Sequence, residues 1–211
     1  MTRPISRFAR MATALASLSL IGLFFLPLWR VQLVAPQYPE GLGMRISINS
    51  IRGVTVYDLD NINGLNHYIG MQRITPDAIP ELRLMPWILG ALIATGLMVA
   101  LIGRRAPLYG WFAGFFLASA GGLVDFWRWE YDYGHDLDPT AAIRIPGASY
   151  QPPLLGAKKI MNFTAASWPH VGGIAAFVSL GLVLLVVVLE WRGRAARRAP
   201  LASPAPRVSP A

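Results

Sequence analysis

Four stretches of this chain are free of Asp, Glu, Lys and Arg: Met11 to Trp29, Leu84 to Ile102, Ala106 to Val124, and Val171 to Leu189, each nineteen residues long. A helix rises about 1.5 Å per residue, so each reaches about 28 Å, close to the hydrocarbon thickness of a bilayer. The pattern predicts four membrane-spanning helices. Only Gly103, Arg104 and Arg105 separate the second from the third, which makes these two antiparallel neighbours. Small residues, including Gly110, Gly114, Gly121 and Gly122, recur along the third and predict close helix contact there.

The intervals are polar and uneven. In residues 30–83, Pro36 and Pro39 break any helix, and Met44 to Ile51 alternates so that Met44, Ile46 and Ile48 share one face. That is strand patterning, with room for one small β-hairpin. Asp58, Asp60, Asn61, Asn63, Gly64 and Asn66 then supply turn chemistry. Asp58, Asp60 and Gly64 are loosely like a calcium loop, but the spacing is wrong and the bidentate Glu is missing. In residues 125–170, the stretch GGLVDFWRWEYDYGHDLDP (121–139) crowds aromatic and ionisable side chains against the end of the third apolar run. Its WRWEYDY core alternates aromatic with charged residues, so helix and strand both remain open for 127–133. On a helix, Asp125 and Arg128 would pair. Trp29 and Arg30 are expected at the membrane interface.

Charge adds direction. Residues 1–10, 103–105 and 190–211 carry ten Lys or Arg and one acid, Glu190, whereas 30–83 and 125–170 together carry nine Lys or Arg and ten acids. The net charge of +8 is therefore a positive-inside signature rather than a nucleic-acid surface. The prediction is an all-α integral membrane protein with both termini cytoplasmic. It has spans at 11–29, 84–102, 106–124 and 171–189, a cytoplasmic turn at 103–105, outside segments at 30–83 and 125–170, and a basic disordered tail at 190–211. The first apolar run reads as a retained helix, because no small-x-small cleavage site follows it.

Cysteine is absent, which removes disulfide exchange and thiolate metal sites. The three His and several Met all fall in the two outside segments. Imidazole and thioether suit copper better than magnesium or calcium, so His67, Met71 and His135 are the candidate copper contacts; His67 and Met71 share a face if their segment is helical. His135 with Asp136 or Asp138, or Glu130 as a general acid, would be the catalytic candidates, but nothing marks a nucleophile or an oxyanion site. A non-enzymatic role is the better reading. Asp125, Trp127, Arg128, Trp129, Glu130, Tyr131, His135, Asp136 and Asp138 are expected to form a partner-binding or structural surface.

Four blocks carry a resemblance: VQLVAPQYPEGLGMRI (31–46), INGLNHYIGM (62–71), VDFWRWEYDYGHDLDPTAAI (124–143) and SYQPPLLGAKKIMNF (149–163). Together with the spans they resemble a family of small four-helix membrane proteins that accompanies nitrous-oxide reductase in gene clusters of denitrifying bacteria. The resemblance implies a protein of the bacterial inner membrane whose outside segments, 30–83 and 125–170, are periplasmic, and an accessory role that assembles, supplies copper to, or docks the reductase or its maturation factors. A quinol-linked electron-transfer subunit is the alternative, although no apolar run contains a His for haem. A membrane enzyme acting on a lipid-linked substrate is a further one.

Overall fold

A computed structural model describes residues 4–196. Helix α1 (Arg7–Ser19) passes into a 3-10 turn (Leu20–Phe24), followed by strands β1 (Trp29–Ala35), β2 (Tyr38–Ile46) and β3 (Ile51–Gly53). Then come helices α2 (Asp58–Ile69), α3 (Glu81–Ile102) and α4 (Arg105–His135), strands β4 (Gly156–Ile160) and β5 (Phe163–Pro169), and helix α5 (Val171–Ala196). Four helical stretches, Arg7–Phe24, Glu81–Ile102, Arg105–His135 and Val171–Gly193, are long and apolar enough to cross a membrane. This is a membrane protein.

It is not all-α. The two polar intervals fold together into one five-stranded antiparallel sheet, ordered β3-β2-β1-β5-β4. The expected hairpin exists as β1 and β2, with Leu33 opposite Leu42. A second hairpin, β4 and β5, joins it through β1, which runs beside β5 from the Trp29–Pro169 pair to the Val34–Thr164 pair. One edge of β1 thus finds its backbone partners more than a hundred residues away, in β5.

Arg-rich ends gather at the opposite end of the bundle. Ser6 N–H donates to Glu190 Oε1 at 2.9 Å, and Arg105 pairs with Glu190 Oε2 at 2.9 Å. Arg10 donates to the carbonyls of Ala100 and Leu101, both at 2.9 Å, where a cation meets the free carbonyls and negative dipole of the α3 terminus. The amino end of α1, the α3–α4 turn and the carboxyl end of α5 are locked together there. The bundle core is apolar, built on residues such as Leu20, Leu108, Val183 and Val186, with an interhelical contact between Ser19 Oγ and Ser179 Oγ at 2.7 Å.

Several expectations shift. The first span does not run as one α-helix to Trp29: its last turn tightens to 3-10 and the chain leaves it ahead of Pro27. Trp29 opens β1, and its indole is buried against Phe126, donating to Ser167 Oγ at 2.7 Å. The Asp- and Asn-rich stretch is a helix, α2, because its polar side chains have tertiary work. Asn63 both donates to the Ile74 carbonyl and accepts from the Ile74 N–H, while Asp58 accepts from Gly43 N–H at 2.9 Å and from the Thr55 hydroxyl. Asp60 pairs instead with Arg73, so these acids converge on no calcium loop. Gly110, Gly114, Gly121 and Gly122 meet nothing within 4 Å of an added Cβ; close approach occurs at Gly96, against Trp111 and Ser17. Residues 190–196 continue α5, and the remaining expected tail lies outside the described residues.

Candidate functional site

The stretch 127–133 is helical, and α4 runs through it to His135. At 31 residues the helix is about 46 Å long, well beyond the roughly 30 Å of hydrocarbon. The turns after the charge-free run therefore reach past the span and into the sheet domain. Helical phase then splits the aromatic residues onto two faces. Trp127, Tyr131 and His135 form an outer ladder with centroid spacings of 5.6 and 4.0 Å. Phe126, Trp129 and Tyr133 form an inner one, spaced 6.2 and 4.4 Å, packed against Trp29, Val31 and Met44 of the sheet.

Glu130 falls on the inner face. It is 1% exposed, and neither carboxyl oxygen has a hydrogen-bond partner. It lines a cavity of about 460 Å³ between the sheet, α2, the end of α4 and the 143–152 loop. Trp129 and Tyr150 line it too, and the Tyr150 hydroxyl likewise has no partner among the described residues. Tyr68, Ile143 and Met161, each substantially exposed, lie along its rim. Tyr150 is held in place by its own N–H, which donates to the Gly134 carbonyl at 2.9 Å. A Cβ on Gly134 would collide with the Gln151 backbone, so glycine is what lets the loop lie on the helix.

A larger groove of about 680 Å³ separates α3 from α4 and reaches the 3-10 turn and α5. Aliphatic side chains of the spanning helices, such as Leu84, Ile88 and Leu92, make up much of its wall, and a lipid chain satisfies such a surface. Glu81, Asp125, Arg128 and Asp132 edge it. Asp125 and Arg128 do not form the expected ion pair: among the described residues the ion pairs are Arg73–Asp60 and Arg105–Glu190.

The remaining candidates meet at a junction. Helix α2 stops at Gly70 in the left-handed region, φ +82°, where an added Cβ would crowd Asp138 and Ala141. Across that junction Asp138 N–H donates to the Gly70 carbonyl at 2.8 Å and Ile143 N–H to the Tyr68 carbonyl at 2.9 Å. Gln72 Nε2 donates to Asp136 at 3.0 Å. The His67–Met71 segment is thereby locked to the His135–Asp138 segment, two stretches that no local pattern joins.

His67 and Met71 do not share a helical face, because α2 ends between them. His67, His135, Asp136 and Asp138 are exposed, whereas Met71 is partly buried and lines the cavity with Met44 and Met161. His135 Nδ1–H donates to the Tyr131 carbonyl at 2.9 Å. Asp138 accepts from Thr140 N–H at 2.7 Å and from its hydroxyl at 2.6 Å, bonds that hold its carboxyl below the usual range. Neither acid orients the imidazole. Among the described residues no group of three or more His, Asp or Glu is placed to hold a metal ion. Of the nine residues expected on a partner surface, Asp125, Trp127, Arg128, Tyr131, His135, Asp136 and Asp138 are exposed, Trp129 is half-buried, and Glu130 is turned inward. Helical phase was the signal that sets Glu130 apart, since it stands four residues from Phe126 and three from Tyr133. No family model matches this chain, and no curated protein matches it.

Proposed function

We propose that this chain is a multi-pass accessory protein of the bacterial inner membrane whose sheet domain stands in the periplasm and docks a soluble partner. The excess of Arg at the end away from the sheet supports that orientation. The observation that carries the docking reading is the junction of α2 with the 135–143 loop. It is rigidly hydrogen-bonded, yet leaves His67, Tyr68, His135 and Ile143 exposed, a mix of aromatic, apolar and polar side chains suited to an interface core and rim. Nitrous-oxide reductase or one of its maturation factors is the partner that the resemblance implies, and copper is the cargo.

Two experiments test this. Photo-crosslinking from position 68 in intact cells should capture the reductase or a maturation factor, and Tyr68→Ala should weaken the purified interaction about tenfold or more; equal binding by the variant would remove the junction from the interface. In a Cu(I) competition assay, replacing His67, Met71 and His135 together should abolish competition. Wild-type protein that fails to compete would remove copper from the proposal.

A further inference from the structure

A carboxyl group buried without a partner is expensive, because even its neutral form gives up hydrogen bonds to water, and its ionised form gives up far more. Glu130 is in that position: among the described residues neither carboxyl oxygen has a hydrogen-bond partner, and no Lys, Arg or His lines the cavity. Among the described residues the hydroxyl of Tyr150, another residue of the cavity wall, also has no hydrogen-bond partner. A purely structural role would show a partner for at least one of these groups.

The surroundings specify what is missing. Trp129, Tyr133, Tyr150 and Phe163 bring aromatic rings to the cavity wall, and ring faces attract organic cations. The thioethers of Met44, Met71 and Met161 add soft, polarisable walls. An anionic ligand meets a carboxyl and no counter-charge, so it is excluded. Size decides between a bare metal ion and an organic one. About 460 Å³ lies in the range of cavities that enclose small organic ligands, roughly 300–1,000 Å³, and is far larger than one ion with its ligand atoms.

We propose that the Glu130 cavity binds a small organic ammonium ion, its charged group against Glu130 among the aromatic rings and its carbon body along the apolar walls toward Met161. The cavity shares its rim residues Tyr68 and Ile143 with the docking junction, but the inference rests on Glu130 and does not depend on the docking reading. Entry is from the aqueous side, past Tyr68, Ile143 and Met161.

The test uses the full chain in nanodiscs, titrated by calorimetry with n-hexylammonium, n-hexanol and hexanoate against empty nanodiscs as the partition blank. Hexylammonium should show one saturable site per chain, with hexanol and hexanoate at least tenfold weaker. Glu130→Gln keeps the shape and removes the group that can ionise against a bound cation; it should lower hexylammonium affinity at least tenfold while leaving hexanol unchanged. Met161→Arg, at the exposed rim, provides a resident cation and should weaken hexylammonium to a similar extent without touching the buried core. The proposal is overturned if wild type shows no saturable hexylammonium site, if hexanol binds as well, or if either variant that folds binds hexylammonium like wild type.

Discussion

The N–H of Tyr150 donates to the carbonyl of Gly134 at 2.9 Å, binding the loop that closes the cavity to the last turn of α4. The contact depends on a missing side chain, since a Cβ at Gly134 would run into the Gln151 backbone. Gly134→Ala should therefore destabilise the protein by about 1–3 kcal/mol, the usual range for overpacking. Gly114→Ala, where nothing lies within 4 Å, should be neutral or stabilising by up to about 1 kcal/mol through helix propensity. Thermal unfolding of the two variants side by side in detergent gives the comparison.

Asp58 gives the sheet domain a pH dependence. Burial works to raise its carboxyl, but hydrogen bonds from Thr55 and from the Gly43, Thr55 and Val54 backbone outweigh it and hold the group below the usual range. With the folded value depressed, the stabilisation is complete above the unfolded value of about 3.9 and is lost as pH falls through the folded one. Asp58→Asn should lower stability by about 1–3 kcal/mol at neutral pH. The gap between variant and wild type should close on acidification below about pH 4, as read from melting temperature against pH. A gap that stays constant down to pH 3 would show that the carboxylate is not the source.

Two ion pairs of the same chemistry should behave differently. Arg105 and Glu190 are 18% and 8% exposed, and Glu190 also takes the Ser6 N–H. Glu190→Ala should cost about 3–5 kcal/mol by leaving a shielded guanidinium unpaired. Arg73 and Asp60 are 71% and 72% exposed, so Asp60→Ala should change stability by no more than about 1 kcal/mol. Denaturation midpoints of the two alanine variants check the contrast.

The absence of Cys makes sidedness directly measurable. Lys158→Cys and Gly64→Cys, on the sheet domain, should react with a membrane-impermeant maleimide in cells whose outer membrane alone is opened. Arg104→Cys, in the α3–α4 turn, should react only after the inner membrane is disrupted. The opposite labelling pattern would invert the orientation.

The four spans were legible because lipid imposes a simple rule, about nineteen residues without charge, that needs no tertiary information. The β1–β2 hairpin was partly legible, through Met44 and Ile46; the alternation expected to run on to Ile51 is broken by the turn between β2 and β3, where Ile48 lies. The β4–β5 hairpin was not: Lys158 and Lys159 sit side by side, and the strands are rich in Ala and Ser rather than β-branched residues. It exists because β5 pairs with β1, a contact no local window contains. Asn63 and Asp58 read as turn formers for the same reason, since their partners are Ile74 and Gly43. Glu130 was singled out only as one acid in a crowd. Its burial follows from helical phase combined with the sheet that packs on that phase, and the second of these was invisible.

Removing the gene from a strain that makes nitrous-oxide reductase is the most direct measurement of the accessory role. Reductase purified from the deletion strain should be deficient in copper and activity. Complementation with the wild-type chain should restore both, and Gly70→Val, which disrupts the docking junction, should restore neither despite reaching the membrane. Reductase with full copper content and full activity in the deletion strain would contradict the account.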